Sequence, residues 1–406
     1  MRSPISNVRP HVHASRALQW LMAASGGLIM ANLYYAQPLA GSMCASFGVP
    51  IDSAGLLTTV PLGAYGVGLL TIVPLADRID NRTLVLALTT LVIACTLLSS
   101  TARNLPAYLL AAALLGVAAT AVQVLVPYST YLVAPHEATR AVGRVVSGVM
   151  LGIMAARPAA SLIASFSDWR GVFRCSAAVL AVVLIVLAAA LPARQPSDTG
   201  SRLSYGVLMK SLLRIVAREP VLRLRAGCHG CMFGAFATFW TAVPLWLIGA
   251  PLRMSQAEVG WVGLAGVAGA LAPPIAGRIA ANKGPRAART MMLIAGGAFA
   301  FSVPVTLATH AGSTAIACAM AAVGVALDFA VASHLVLCQQ AIYALAPRER
   351  SRVNAIFMAS FLMIGSVSSA LAGWLLAKFG WDAVAALGAG LPLLAWMMSQ
   401  HGTVRQ

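Results

Sequence analysis

The sequence predicts an all-α membrane protein with 12 transmembrane helices in two pseudo-symmetric six-helix bundles. Its composition supports this class: 59% of the residues are hydrophobic, only 10% are charged, and the mean hydropathy is +0.83. A soluble domain carries about 25% charged residues. The lengths of the apolar stretches and the placement of the basic residues then predict the number of helices and their orientation.

Twelve apolar stretches are long enough to cross a bilayer, since a transmembrane helix needs roughly 20 apolar residues. The predicted spans lie near residues 17–40, 54–76, 83–102, 106–133, 141–165, 171–192, 225–248, 258–281, 289–309, 313–345, 351–376 and 382–399. Several of them exceed the minimum length, which predicts tilted helices or helix ends that protrude from the bilayer.

The basic residues lie almost entirely in alternate loops. Of the 28 lysines and arginines, 22 lie in the terminal segments and the loops on their side, 5 lie in the opposite loops, and Arg157 lies inside a span. The positive-inside rule therefore predicts that both termini are cytoplasmic. The formal net charge of +17 does not indicate a nucleic-acid partner, because the basic loops are short and lack interleaved aromatic residues.

A polar segment at residues 193–224 divides the spans into six and six. We therefore predict an N-terminal six-helix bundle over residues 1–192, a cytoplasmic linker over 193–224 and a C-terminal six-helix bundle over 225–406. The halves share short segments: VPLADRIDNR at 73–82 corresponds to GRIAANKGPR at 277–286, and DWR at 168–170 to GWD at 380–382. Parallel repeats of this kind are typical of rocking transporters with a substrate site near the membrane midplane.

The loop after the second span resembles the signature G-x-L-A-D-R-x-G-R-R/K of the major facilitator superfamily. The matching residues are Leu75, Ala76, Asp77, Arg78 and Arg82, and the departures are Val73, Asp80 and Asn81. The resemblance extends over residues 18–398 and implies the major facilitator fold. Residues 32–38, 327–328 and 352–354 are similar to the bacterial arabinose-efflux-permease-like branch, which implies a multi-pass protein of the bacterial inner membrane.

The resemblance also implies that this loop is a latch, which holds the cytoplasmic side closed in one conformation. Asp77 stands at the C-terminal end of a helix, where a negative charge is unfavourable, so it needs a cation or a helix N-terminus nearby. The candidate latch residues are Asp77, Arg78, Arg82, Arg140, Arg144 and Arg352. The alternative is an ordinary solvated ion pair worth about 0–1 kcal/mol.

Asp328 is the acidic residue that lies deep within a predicted span. A charge at the bilayer centre costs several kcal/mol unless it faces a partner or a wet cavity, so such a residue is a candidate functional site. A carboxyl that reaches water can take up and release a proton, which makes Asp328 a candidate proton-coupling site. The alternative is a structural aspartate bonded within the protein.

Arg157 is the basic residue that lies deep within a span, where it precedes Pro158. Three partners remain open: Asp328 across the two halves, an anionic substrate, or helix carbonyl groups. Exporters of the resembled superfamily often carry a G-P-containing antiporter motif in this helix. Here the corresponding stretch is degenerate, because it reads GIMAARPAAS at residues 152–161.

Amide and aromatic side chains occur in spans one, four, seven and ten, which line the cavity in the resembled fold. Amides beside aromatic faces suit amphipathic or sugar-like ligands. With Arg157, the candidate cavity residues are Asn32, Tyr35, Gln37, Gln123, Tyr128, Phe239, Trp240 and Gln339. The alternative for each is helix packing or the interfacial aromatic belt.

The predicted function is secondary active transport of a small molecule by alternating access, as proton-coupled efflux. Facilitated diffusion, proton-coupled uptake and a non-transporting receptor are the alternatives. An enzyme is not predicted, because the sequence carries no H-E-x-x-H, no G-x-S-x-G and no paired deep carboxylates. We expect no cofactor and no metal. The expected partners are the substrate, protons and the lipid bilayer, with the monomer as the functional unit.

Overall fold

The computed structural model describes residues 15–134, 137–193, 205–249, 252–265, 272–307, 312–345 and 350–401. Side chains are described throughout these ranges except at 77, 139, 208, 265, 272–285, 343–345, 350, 351 and 401. Within the described ranges the chain forms fifteen α-helices and two short 3-10 helices, without a β-strand. The predicted all-α class is confirmed.

The fifteen α-helices follow one another along the described chain with short connections. They are α1 Arg16–Ala31, α2 Ala36–Phe47, α3 Ala54–Thr71, α4 Asn81–Thr101, α5 Leu105–Ala118, α6 Ala121–Tyr131, α7 Ala138–Phe166, α8 Trp169–Ala190, α9 Tyr205–Arg218, α10 Pro220–Ile248, α11 Gln256–Ala265, α12 Ala272–Leu307, α13 Gly312–Leu345, α14 Arg350–Phe379 and α15 Trp381–His401. The 3-10 helices are Ile51–Ser53 and Val73–Asp77.

Ten helical segments within the described residues are long and apolar enough to cross a membrane. The first predicted span is divided between α1 and α2, which have 16 and 12 residues. The eighth includes α11 and the start of α12, and its residues 266–271 lie outside the described ranges. Taken together, the helices correspond to the twelve predicted spans. Helix α12 continues across residues 282–288, where the sequence predicts a loop.

The helical assembly has two opposite faces, named here the terminal face and the distal face. The terminal face holds the start of α1 and the end of α15, and the distal face holds the end of α2 and the start of α3. Helix α9 belongs to the predicted linker and lies at the terminal face, where the Tyr205 hydroxyl donates to the Thr71 carbonyl at 3.0 Å. Helix α10 begins at Pro220, so the last residues of the predicted linker are already helical.

The repeated Trp segments occupy matching positions at the distal face. Trp169 begins α8 and packs edge-on against Phe47, Tyr108 and Phe173. Trp381 begins α15 and donates its indole N–H to the Ser302 hydroxyl at 2.9 Å. Both side chains are buried, so each half closes its distal end around a tryptophan. The two halves therefore share a buried tryptophan in the same position, in agreement with the internal repeat in the sequence.

Glycines let α1 and α7 pack with their backbones in contact. Gly27 lies against Gly148 and Gly152, and a Cβ added at Gly152 would collide with the Gly27 carbonyl. Small residues at intervals of four favour such close packing in membranes, where dispersion contacts replace the hydrophobic effect between helices. This contact fixes the position of Arg157, which lies farther along α7.

We expect Gly152→Leu to destabilise the protein, because the new side chain must push α1 and α7 apart. Overpacking typically costs about 1–3 kcal/mol, and backbone contact at this position puts the change at the upper end. The measurement is thermal unfolding of the purified protein in detergent. Gly297→Leu is the matched control, since a Cβ there meets no atom within 4 Å. Equal unfolding temperatures for both variants would contradict the proposed packing role.

Candidate functional site

Arg157 lies buried on α7, with 1% of its surface exposed. Its Nε donates to Oε1 of Gln37 at 2.8 Å. Gln37 is itself fully buried and follows the break between α1 and α2, where the chain forms a turn at residues 32–35. Interrupted helices near the membrane midplane are a common place for substrate sites in transporters. The helix break at residues 32–35 and the buried Arg157 therefore lie next to each other.

Three aromatic rings surround the Arg157 guanidinium. Its Cζ lies 4.2 Å from the Trp240 ring centroid, 5.1 Å from that of Phe236 and 5.5 Å from that of Tyr34. A cation over an aromatic face is stabilised by about 0.5–2 kcal/mol, more when both groups are away from water. Arg157 and Tyr34 come from the first half of the chain, and Trp240 and Phe236 from the second. The contact thus joins the two halves.

Trp240 also contacts the deep acid. Its indole N–H donates to Oδ1 of Asp328 on α13 at 2.8 Å, and the Asp328 side chain is 1% exposed. The ion pairs among the described residues are Arg174–Asp168 and Arg218–Glu219, so Arg157 and Asp328 do not form one. Both deep charges contact the same indole, Arg157 over its face and Asp328 at its N–H edge.

Several buried polar atoms of this cluster have no hydrogen-bond partner among the described residues. They are Nη1 and Nη2 of Arg157, Nε2 of Gln37 and Oδ2 of Asp328. A buried polar atom without a partner costs about 1–3 kcal/mol, and more when it is charged. The cluster therefore offers donors and an acceptor to a third molecule. We name Arg157, Gln37, Trp240 and Asp328 the central cluster.

Close helix packing brings the members of the central cluster together. A Cβ at Gly263 would lie 3.2 Å from the Cβ of Arg157, and one at Gly324 would lie 3.3 Å from the Trp240 ring. Each glycine allows a neighbouring helix to approach, α11 toward α7 and α13 toward α10. Pro158 has no backbone N–H, so α7 loses one helical hydrogen bond directly after Arg157.

The other predicted cavity residues make separate contacts. Asn32 accepts hydrogen bonds from Thr96 and Ser176, and Tyr35 packs edge-on against Phe173. The remaining contacts link Gln123 to Tyr65, Tyr128 to the Pro192 carbonyl, Phe239 to Phe299 and Trp381, and Gln339 to Asn354. The structure therefore groups Gln37, Arg157 and Trp240 with Asp328, and the cavity role of the others stays a prediction.

Two aromatic residues of the site, Phe236 and Tyr34, lie outside the set of cavity residues predicted from the sequence. Phe236 lies one helical turn before Trp240, and residues at this spacing share a helix face, so that signal was available in the sequence. Tyr34 lies three residues before Gln37, which is also a neighbouring position on a turn or helix. A further buried pair, His229 and His334, is joined through the two Nδ1 atoms at 3.1 Å, and its partnership had no signal in the sequence.

The latch candidates lie at the terminal face. The Asp77 side chain falls outside the described residues. Arg82 donates to the Ala188 carbonyl at 2.6 Å, and Arg144 donates to the Gln19 side chain, so both contact the first half of the chain. Asp80 caps α4 by accepting from the Thr83 N–H at 2.8 Å. Arg78 and Arg140 are exposed, and Arg352 is half-buried at the start of α14. The latch stays a prediction.

On the distal face, α3 and α14 join the two halves through small residues. Thr59 donates to the Ser366 carbonyl at 2.7 Å, and the Thr58 hydroxyl bonds to that of Ser369. A Cβ at Gly55 would lie 2.6 Å from the Ser369 carbonyl oxygen, and one at Gly373 would lie 2.7 Å from the Gly55 nitrogen. We call this contact the distal seam. At the distal seam the backbones of α3 and α14 are in direct contact.

A second contact between the halves lies beside the seam. Gln256, at the start of α11, donates to the Pro38 carbonyl at 2.7 Å and to the Ser161 hydroxyl at 3.3 Å. Two helical halves that touch at a buried, charged midpoint and close together on one face define a membrane transporter. The comparisons with known proteins agree with that class.

The sequence model described as Major Facilitator Superfamily matches residues 21–227 and 225–401. The chain belongs to the Major Facilitator Superfamily. It is a multi-pass membrane transporter and not an enzyme, because the members of this family are carriers and the chain's relatives are named as transporters.

Two relatives and one solved structure cover nearly the whole chain. The uncharacterized transporter YgaY of Escherichia coli O157:H7 is 31% identical over 399 residues, 98% of each chain. The probable transporter SCO4007 of Streptomyces coelicolor is 30% identical over 95% of this chain and 88% of its own. A crystal structure of a POT family transporter, in complex with a thioalcohol conjugated peptide, superposes with a TM-score of 0.72 at 13% identity, covering 96% of each chain. This likeness shows the fold alone.

We expect Gly55→Leu to open the distal seam, because its side chain cannot fit against the Ser369 and Ala370 backbone. The population should shift toward a conformation that is open on the distal face. The measurement is the labelling rate of Ser366→Cys, in a background without other cysteines, by a membrane-impermeant maleimide; a rise on the order of tenfold is expected for a shift of about 1.4 kcal/mol.

Gly143→Leu is the matched control, since a Cβ at Gly143 meets no atom within 4 Å. Labelling should stay at the parent's rate in this variant. If Gly55→Leu also leaves the labelling rate unchanged while the protein remains folded, then the seam does not hold the distal face closed.

Proposed function

We propose that this protein is a secondary active transporter that exports a small molecule across the bacterial inner membrane in exchange for protons, with Asp328 as the proton site. The observation that carries the proposal is the buried central cluster, where the deep acid and the deep base of the sequence meet around Trp240 at the contact between the halves. A site at that contact is exposed to one face or the other when the halves rock.

The central cluster supports proton coupling through its charge balance. With an ionised Asp328, the carboxylate and the Arg157 guanidinium compensate each other across one indole ring. A proton on Asp328 leaves a single positive charge among buried aromatic rings, which changes the free energy of the closed arrangement. A ligand shifts a conformational equilibrium only if it binds the two states with different affinity. A proton that changes the free energy of the closed arrangement meets this condition, so it can drive the conformational change.

Two further features support the remaining parts of the proposal. The excess of basic residues in the terminal segments and alternate loops favours a cytoplasmic terminal face, so the distal face is the periplasmic one. Export rather than uptake rests on the resemblance to the arabinose-efflux-permease-like branch. In this assignment the distal seam closes the periplasmic side, and the central cluster is in the conformation that loads substrate from the cytoplasm.

We expect Asp328→Asn to abolish proton-driven transport and to retain exchange of substrate for substrate at saturating concentration. Asparagine preserves the shape and the bond from Trp240 but carries no titrating proton. The measurement uses inverted membrane vesicles with an acidic interior: compounds from a panel are added, and a fluorescent dye reports loss of the pH gradient. Counterflow in proteoliposomes reports exchange.

Asp382→Asn is the matched control, because Asp382 is an exposed aspartate at the distal face. It should dissipate the gradient as the parent does. If Asp328→Asn still dissipates the gradient with the parent's substrate, Asp328 is not the proton site. Equal fluxes with and without a pH gradient in the parent would point to facilitated diffusion instead.

We also propose that Asp77 belongs to a cytoplasmic latch. Asp77→Asn should disfavour the conformation closed on the cytoplasmic side and slow turnover. Substrate affinity should stay unchanged, because Asp77 stands at the terminal face and is not part of the central cluster. Ser366→Cys labelling should fall as the distal seam stays closed for longer. Asp80→Asn is the control, since asparagine also caps helices well. Unchanged labelling and turnover in Asp77→Asn would reduce the loop to a surface ion pair.

A further inference from the structure

We propose that the central cluster binds a zwitterion: a compact molecule whose carboxylate contacts Arg157 and Gln37 and whose ammonium group contacts Asp328. The inference rests on the proposed transport function and adds the chemical class of the substrate. Amino acids, with one carboxylate and one ammonium group a few bonds apart, are the simplest molecules of this class.

The carboxylate side of the site consists of unpartnered donors. Because Nε of Arg157 donates to Gln37, the accepting atom must be the amide oxygen, which leaves the Gln37 Nε2 as a donor next to the guanidinium. Nη1, Nη2 and this Nε2 have no partner among the described residues, and both side chains are at least nine-tenths buried. A planar guanidinium with two free N–H edges matches a carboxylate, which accepts in a bidentate manner.

The ammonium side of the site consists of one acceptor with aromatic neighbours. Oδ1 of Asp328 is occupied by the Trp240 N–H, and Oδ2 has no partner among the described residues. A substrate ammonium group that bonds to Oδ2 would supply the missing donor and neutralise the carboxylate. The aromatic faces that line the cluster would add a favourable contact with the cation.

The separation of the two charges selects a substrate with both groups. Arg157 and Asp328 are each buried and contact the same indole, and they do not form an ion pair with each other. Breaking the charge balance of a buried site is costly. A simple anion would bond to Nη1 and Nη2 of Arg157 and leave Oδ2 of Asp328 without a donor, and a simple cation would do the reverse. A neutral sugar would neutralise neither charge. A zwitterion satisfies both at once.

Other ionisable side chains do not alter this balance. The described acidic residues other than Asp328 stand in loops or near helix ends, and the sequence of residues 265–277, which follows Gly263, contains no charged residue. The groups that face Asp328 are Trp240 from α10, Arg157 from α7 and Tyr34 from the turn between α1 and α2. Since the substrate ammonium and a proton use the same carboxylate, they compete for it, which is the condition for exchange of one for the other.

The test measures counterflow in proteoliposomes that contain the purified full-length protein. The probes are the twenty radiolabelled α-amino acids and γ-aminobutyrate as zwitterions, benzoate as an anion, tetraphenylphosphonium as a cation and arabinose as a neutral sugar. For each amino acid that exchanges, its methyl ester and its N-acetyl derivative serve as competitors that lack one charge. We expect saturable exchange of at least one zwitterion and weaker competition by both derivatives.

The variants assign each charge to its side chain. Arg157→Gln should raise the apparent KM for the zwitterion on the order of tenfold or more and leave competition by the methyl ester unchanged, since an ionic hydrogen bond is lost only on the carboxylate side. Asp328→Asn should weaken the methyl ester and spare the N-acetyl derivative. Arg157→Lys should recover part of the affinity.

Arg170→Gln is the matched control, because Arg170 stacks on Trp169 at the same 4.2 Å distance but lies at the distal face. It should leave every KM at the parent's value, and thermal unfolding of each variant checks that the protein is folded. Absence of zwitterion exchange by the folded parent, or equal competition by the singly charged derivatives, would overturn the inference.

The same assay separates this inference from the proposed function. Proton-driven flux of benzoate, tetraphenylphosphonium or arabinose, lost in Asp328→Asn, would refute the zwitterion site and support the proton-coupled exporter. Zwitterion exchange that never responds to a pH gradient would support the zwitterion site and refute the proton-coupled exporter.

Discussion

The stacking of Arg157 on Trp240 is the contact around which the two halves of the molecule are arranged. A guanidinium in the middle of apolar helices is tolerated only with partners, and here the partners come from both halves: Gln37 from the first, Trp240 from the second. Trp240 in turn donates to Asp328, so one indole ring connects both deep charges. The glycines beside the cluster are a condition of this geometry, because larger residues would keep the neighbouring helices too far apart.

The helices and the deep charges could be predicted from the sequence because both are local properties. A long apolar stretch predicts a transmembrane helix, and Asp328 and Arg157 can be recognised as charged residues within such stretches whatever the packing of the helices. Their connection through Trp240 could not be predicted, since it depends on how α7, α10 and α13 meet across the halves. The sequence left an ion pair, an anionic substrate and helix carbonyls open for Arg157. The structure shows no ion pair with Asp328, and both residues contact Trp240.

Cavity residues were harder to predict than cavity helices. An amide or aromatic side chain on a lining helix can turn toward the centre or toward a neighbour within its own half, and the sequence does not distinguish the two. Asn32 shows the second outcome, since Thr96 and Ser176 of the same half bond to it. Phe236 shows that spacing helps once one residue is known, because it lies one turn from Trp240 on the same helix face. The break at residues 32–35 was not predicted, as its sequence carries no glycine or proline.

The distal seam has a chemical character opposite to that of the terminal face. Its described contacts are hydroxyl groups, backbone carbonyls and glycines, and it contains no ion pair, whereas the terminal face is rich in arginines. Dissolved salt largely screens interactions between exposed charges that are more than a Debye length apart, about 8 Å at physiological concentration, and hardly affects short contacts between uncharged groups. Ionic strength therefore acts on charged contacts at the terminal face and has little effect on the distal seam, so a change of salt concentration weakens the two faces of the molecule unequally.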